Sequence, residues 1–115
     1  MDRKQYKSIQ TQRGHTYSYY LANEQATETI LFLHGFPSSS QDWAEQVKFF
    51  SAKGYKIIAP DLLGYGGSSK PTDPIEYKLR AIANDVIDIR HRRYYQGYCH
   101  STRLVSPLNL SLNFC

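Results

Sequence analysis

Residues 30–33, Ile-Leu-Phe-Leu, run without a polar break into His34-Gly35-Phe36-Pro37. A strand with one wet face alternates apolar and polar side chains, because successive side chains point to opposite faces. This run is apolar on both faces and so needs cover on both. A second unalternated stretch, Tyr55 to Leu62 (YKIIAPDL), stands a helix length downstream. Short strands of this kind belong to parallel sheets with helices on each side, and parallel strands need a crossover between them. Open α/β sheets bind ligands at the loops that leave the carboxyl ends of such strands.

The flanking segments agree with that architecture. Tyr6–Thr11 and His15–Leu21 are tyrosine-rich, β-favouring stretches joined at Arg13-Gly14, which predicts an antiparallel hairpin. Ser39 and Asp42 supply a helix start, Trp43, Val47 and Phe50 recur at helical spacing, and Gly54 marks a stop. Gly64 to Lys70 (GYGGSSK) is loop by composition. Asp73-Pro74-Ile75-Glu76 has the cap, first-turn proline and acid of a helix start, followed by a stripe at Leu79, Ile82, Ala83, Val86 and Ile87. The order β-β-β-α-β-α predicts an α/β fold. Strands at 29–33 and 56–60 should be parallel neighbours, with helices near 42–53 and 78–89 packed on the sheet.

Charge divides the chain. All 10 Asp and Glu lie between Asp2 and Asp88, whereas Arg90, Arg92, Arg93 and Arg103 have no acidic companion after them. The reading is therefore residues 1–89 as one portion of a domain and 90–115 as a divergent basic tail, expected to be irregular. The start, MDRKQYK, lacks the apolar stretch of a secretory leader, and no run approaches the roughly 20 apolar residues of a membrane span. A cytoplasmic protein with no membrane partner is expected. Cys99 and Cys115 form neither a disulfide framework nor metal-ligand spacing.

Three segments carry a specific likeness: ILFLHGFPSSSQDW, YKIIAPDLLGYGGSSKP and TDPIEYKLRAIANDVIDI. Together they make residues 6–89 resemble the N-terminal part of α/β-hydrolase-fold enzymes, and among these the epoxide hydrolases, which share the pattern with haloalkane dehalogenases. The resemblance implies an incomplete α/β-hydrolase fold, truncated before the nucleophile elbow. It implies that the Phe36 backbone N–H belongs to an oxyanion hole, with Gly35 allowing the sharp turn and Pro37 fixing the direction beyond. His34, Gly35, Pro37 and Trp43 are then the candidates for contact with a small-molecule substrate, an epoxide or a related compound. No cofactor, metal or nucleic acid is implied.

The family reaction also needs an aspartate on a Gly-x-Asp-x-Gly elbow, a later histidine and lid tyrosines. No Gly-x-Asp-x-Gly or Gly-x-Ser-x-Gly occurs among the 115 residues, and His91 and His100 come too early to be the family histidine. The chain is therefore expected to be inactive alone. Two classes stay open: an epoxide hydrolase-like enzyme by descent, or a non-catalytic product. The second covers a short regulatory or binding protein and a frameshifted or misspliced fragment. In the family the nucleophile strand lies beside the strand at 29–33, so its loss predicts an exposed apolar edge and self-association.

Several residues admit two readings. His34 either hydrogen-bonds within its loop or takes part in chemistry, Asp61 either organises a loop or catalyses, and Trp43 either lines a pocket or packs in the core. GYGGSS suggests a dinucleotide loop, but a serine replaces the third glycine and Lys70-Pro71 blocks the helix that would receive a phosphate. RHRRYYQGY (90–98) mixes arginine and aromatics as single-strand binders do, with too few charges for a strong footprint. TRLVS (102–106) faintly echoes the helix after the elbow, and LNLSLNF (108–114) alternates as an edge strand would.

Overall fold

The computed structural model describes residues 1–35, 38–94 and 102–106. Phe36, Pro37, LNLSLNF and the end of RHRRYYQGY lie outside the described residues. Among those described, the strands are β1 (Tyr6–Gln10), β2 (Thr16–Ala22), β3 (Thr29–Phe32), β4 (Lys56–Pro60) and β5 (Thr102–Val105). They form one sheet in the order β1-β2-β4-β3-β5. Two α-helices accompany it, α1 (Ala44–Ala52) and α2 (Leu79–Tyr94).

Gly14 closes the β1–β2 hairpin at φ +90°, with Thr11 N–H donating to His15 O at 2.8 Å. β2 continues antiparallel onto β4, pairing Tyr20 with Ala59. β3 and β4 are parallel with Ile30 opposite Ile57, as the two unalternated runs predict. The crossover between them is α1, and its end shows why Gly54 is needed. Gly54 adopts φ +91°, Gly54 N–H donates to Ser51 O at 3.1 Å, and Tyr55 N–H reaches back to Phe50 O at 3.2 Å. That pair of bonds caps the last carbonyls, and the Tyr55 and Phe50 rings meet 5.8 Å apart.

Alternate side chains of each strand enter different cores. Tyr17, Tyr19, Leu21, Leu31, Leu33 and Ile58 cluster with Ile82, Val86 and Ile89 of α2. Tyr20, Ala22, Ile30, Phe32, Ile57 and Ala59 cluster with Val47 of α1. A helix on each face is the cover that the unbroken apolar runs require. α2 is also held by charge. Asp85, 2% exposed, accepts from Arg13 Nε at 3.0 Å, Arg13 Nη2 at 2.6 Å and Tyr17 Oη at 2.6 Å.

Three expectations are corrected. The helix-start signals at Ser39 and Asp73 cap short 3-10 turns, Ser40–Trp43 and Pro74–Tyr77, and each α-helix begins after its turn. The second turn ends at Lys78, whose extended backbone (φ −60°, ψ 136°) interrupts the helical path. Next, α2 passes residue 89 and runs to Tyr94. No glycine or proline stands between Leu79 and Gly97, so the change in charge near residue 90 does not end the helix.

The third correction concerns the edge of β3. Thr102–Val105 is a strand, neither irregular tail nor helix, and it pairs parallel with β3, Leu31 opposite Leu104. Leu33 N–H donates to Val105 O at 2.9 Å. A bare β3 would leave its backbone donors and acceptors unpaired, which is unfavourable in an apolar setting. The segment suits that edge: Thr102 and Val105 are β-branched, and Leu104 packs against the α2-side core.

Candidate active site

Parallel pairing brings the loops that leave β3 and β4 side by side, and His34 ties them together. Its ring is 1% exposed, and Leu62 N–H donates to Nε2 at 2.9 Å. A backbone amide can only donate, so Nε2 is an unprotonated acceptor and the neutral ring carries its proton on Nδ1. Nδ1–H lies 2.9 Å from Gly35 O and 3.3 Å from Ser38 Oγ, while the Ser38 hydroxyl donates to Gly35 O at 2.6 Å. Tyr65 meets the ring edge-on, centroids 5.1 Å apart. Both nitrogens are thus engaged within the loops. Ser38 has no base beside it, because the nearest imidazole nitrogen already holds a proton.

Asp61 organises the neighbouring loop. It is 6% exposed, and its two oxygens accept from Ser40 N–H at 2.9 Å and Gly67 N–H at 3.1 Å. Gly66 sits at φ +52°, where a Cβ would stand 2.2 Å from Asp61 Oδ2. Only glycine lets the chain wrap this closely round the carboxylate. Ser68 Oγ donates to Asp61 O and accepts Ser18 N–H, which fastens the loop to β2. Lys70 Nζ closes it on Gly66 O at 2.7 Å. The glycine-rich segment is therefore a wrapped loop around a carboxylate, and no helix opens directly behind it.

Beside these loops lies a cleft of about 420 Å³, lined in part by Tyr6, Ser18, Ser39, Gln41, Asp61 and Gly67. The Tyr6 hydroxyl shares a hydrogen bond with Ser40 Oγ at 2.7 Å and accepts from Gln41 Nε2 at 2.9 Å. Burial raises its pKa above the ordinary phenol value. Sequence reasoning missed Tyr6 and Ser40, since no local pattern links positions 34 residues apart. Of the two sequence readings of Asp61, the loop-organising one matches these bonds.

Of the candidate residues, the structure brings together His34 and Gly35, with Ser38 beside them. Trp43 is placed elsewhere. Its ring packs on Phe32, centroids 5.2 Å apart, in the α1-side core, whereas the His34 partner Tyr65 packs against the α2-side core. Trp43 Nε1 is buried without a hydrogen-bond partner among the described residues. Also among them, no group of three or more His, Cys, Asp or Glu is placed to hold a metal ion. What the arrangement can do chemically is hold a backbone loop rigidly at the ends of two parallel strands.

Comparison with known proteins places this geometry. Residues 28–96 match the family described as alpha/beta hydrolase fold. The chain is 43% identical over 74 residues to "Epoxide hydrolase srdG" of Neurospora crassa, covering 59% of this chain and 22% of that protein. It is 33% identical over 91 residues to human "Protein ABHD8", covering 79% of this chain and 20% of that one. A solved structure from the work "Novel epoxide hydrolases belonging to the alpha/beta hydrolases superfamily in metagenomes from hot environments" superposes with a TM-score of 0.78. That match is 28% identical and covers 88% of this chain and 32% of the other. The chain thus spans about a fifth of the length of these curated relatives. Sheet order, strand-end loops and matched residues agree: the chain belongs to the alpha/beta hydrolase fold family.

Proposed function

We propose that this chain is the oxyanion-loop portion of an epoxide-opening hydrolase and that it is inactive alone. The observation that carries the reading is the His34–Leu62 bond, which ties the first residue of the His-Gly-Phe-Pro motif to the loop that leaves β4. In such an enzyme an aspartate oxygen attacks an epoxide carbon, the ring C–O bond breaks, and the freed oxygen takes a proton from a tyrosine. The ester left behind is hydrolysed by a water that a histidine–acid pair deprotonates. Negative charge then gathers on the ester carbonyl oxygen, and the Phe36 N–H is assigned to meet it. Gly35 and Pro37 are assigned to contact with the substrate, while His34 is buried and Trp43 packs against the α1-side core.

The test is a chimera in which residues 1–94 replace the matching segment of a full-length epoxide hydrolase. Diol formation from styrene oxide supports the reading. A chimera with native circular dichroism but no turnover, beside an active parent, rejects it. The 115-residue chain alone should yield no diol, because it contains no elbow motif.

A second reading, a folded non-catalytic binding protein, is favoured by one observation. β5 pairs along β3, which lets the sheet stand without further strands on that side of β3. A cooperative urea melt of a monodisperse monomer supports it, and a non-cooperative one rejects it. Any self-association is expected through the outer edge of β5. None of the described helices is long and apolar enough to cross a membrane. A cytoplasmic location is part of the proposal, tested by fractionation.

A further inference from the structure

The amino ends of β3 and β4 lie together, at the far end of these parallel strands from the candidate active site. Thr29 opens β3, Lys56 opens β4, and the two are partners in register. Alternation puts both side chains on the face that carries Leu31 and Ile58, the face covered by α2. Arg90 of α2 stands one helical turn beyond Val86, on the side of that helix that meets the same core. All three are buried: Thr29 is 1% exposed, Arg90 2% and Lys56 7%. Thr29 Oγ1 has no hydrogen-bond partner among the described residues. Burial, and then the charge of Arg90, lowers the Lys56 pKa, with Glu24 opposing them as the smallest of the three causes. A lowered value enlarges the share of neutral amine, the form whose lone pair is nucleophilic. We propose that Lys56 is a modification site for carbon dioxide: its amine forms a carbamate that faces Arg90 and accepts the Thr29 hydroxyl.

The step balances without an oxidant or reductant. The nitrogen lone pair forms the N–C bond, one C=O electron pair of carbon dioxide moves onto oxygen, and the proton leaving nitrogen goes to water. The product carries one negative charge, so a meeting of two cations becomes a meeting of opposite charges, and burial strengthens that attraction. The carbamate oxygens also give the Thr29 hydroxyl an acceptor. Lys56 is suited to this reagent by its burial, because so small an opening admits a small neutral electrophile and shuts out a bulky or charged one. The other six lysines are exposed and lack that selection. None of the three residues belongs to the candidate active site, so the proposal stands apart from the oxyanion reading.

The test uses the full 115-residue chain, equilibrated with isotopically labelled carbon dioxide and bicarbonate. Carbamates are then trapped as ethyl esters with triethyloxonium ion and located by peptide mass spectrometry. Label on Lys56 should exceed that on each exposed lysine several-fold. In guanidinium chloride that unfolds the chain, Lys56 should fall to their level. Arg90→Gln removes the facing cation and Thr29→Val the hydroxyl, and each should lower the label on Lys56 while circular dichroism stays native. Two results on the unsubstituted chain overturn the proposal without any variant having to fold. One is a Lys56 signal no higher than that of the exposed lysines, and the other is an excess that survives unfolding. A full Lys56 signal in either natively folded variant overturns it as well.

Discussion

Arg13 lies across the carboxylate of Asp85, 72 positions later, with Nε on one oxygen at 3.0 Å and Nη2 on the other at 2.6 Å. The pair joins the tip of the β1–β2 hairpin to the middle of α2, where Asp85 is 2% exposed. The guanidinium is 27% exposed and also contacts Glu76 at 2.9 Å, so it keeps some water and one other partner. Removing one charge from a buried pair costs about 3–5 kcal/mol. For Asp85→Asn the lower part of that range is expected, about 3 kcal/mol, read from a urea melt. A loss under about 1 kcal/mol would show that Glu76 alone secures Arg13.

Tyr17 gives the same contact a pH dependence. Burial, and then its hydrogen bond to the Asp85 carboxylate, push the Tyr17 phenol well above its ordinary value of 10.0. A raised folded value means that the folded chain holds this proton more tightly than the unfolded chain. The contribution is complete below pH 10 and is lost as pH rises above it. Stability should therefore fall above about pH 10, and Tyr17→Phe, which has no proton to lose, should flatten the fall. Thermal melts of both proteins from pH 8 to about pH 11 would check this, with equal slopes counting against it.

Much of the fold was legible, and what was missed shares one cause. The apolar runs at 30–33 and 57–59 required cover on both faces, and the helices supply it. Gly54 and Gly14 announced their turns because a positive φ leaves a residue signature. The sequence did not announce that Tyr6 reaches Ser40, or that Leu62 N–H ends on His34, because backbone donors carry no letter of their own. The strand at Thr102–Val105 was misread for a related reason. Four residues have no period worth reading, and what makes them a strand is the open edge of β3.

His34 tests the loop directly. Replacing it with phenylalanine keeps an aromatic ring beside Tyr65 but leaves Leu62 N–H buried without an acceptor. A buried donor left unpaired costs about 1–3 kcal/mol. His34→Phe should lose that much in a urea melt, and Leu62 N–H should exchange faster with solvent. Unchanged exchange would mean that another acceptor replaces the imidazole.

Gly66 and Asp61 should behave as one unit. Gly66→Ala puts a methyl group 2.2 Å from Asp61 Oδ2 and holds alanine at φ +52°. The φ alone costs about 1–2 kcal/mol, so a total loss above 2 kcal/mol is expected. Asp61→Ala removes the carboxylate that the methyl group strikes. In the Gly66→Ala/Asp61→Ala double variant the two losses should not add, and the coupling should exceed about 0.5 kcal/mol. Strict additivity would mean that the loop moves away and Asp61 never meets the methyl group.

β5 carries the last prediction, because four residues decide whether β3 has a covered edge. Leu104 stands opposite Leu31 and packs against the α2-side core, whereas Arg103 is exposed. Leu104→Asp sets a charge against apolar neighbours, forfeits part of the about 1.5–3 kcal/mol that a fully buried leucine contributes, and should detach the strand. β3 then presents unpaired N–H and C=O groups along an apolar strand, which templates pairing with other chains. Sedimentation velocity should show association rising with concentration together with a lower urea midpoint. Arg103→Val separates this from the outer edge. A charge on an edge strand discourages pairing, so its removal should raise association while the urea midpoint holds. If Leu104→Asp stays monomeric with its midpoint unchanged, the pairing of β5 along β3 contributes nothing to the fold in solution.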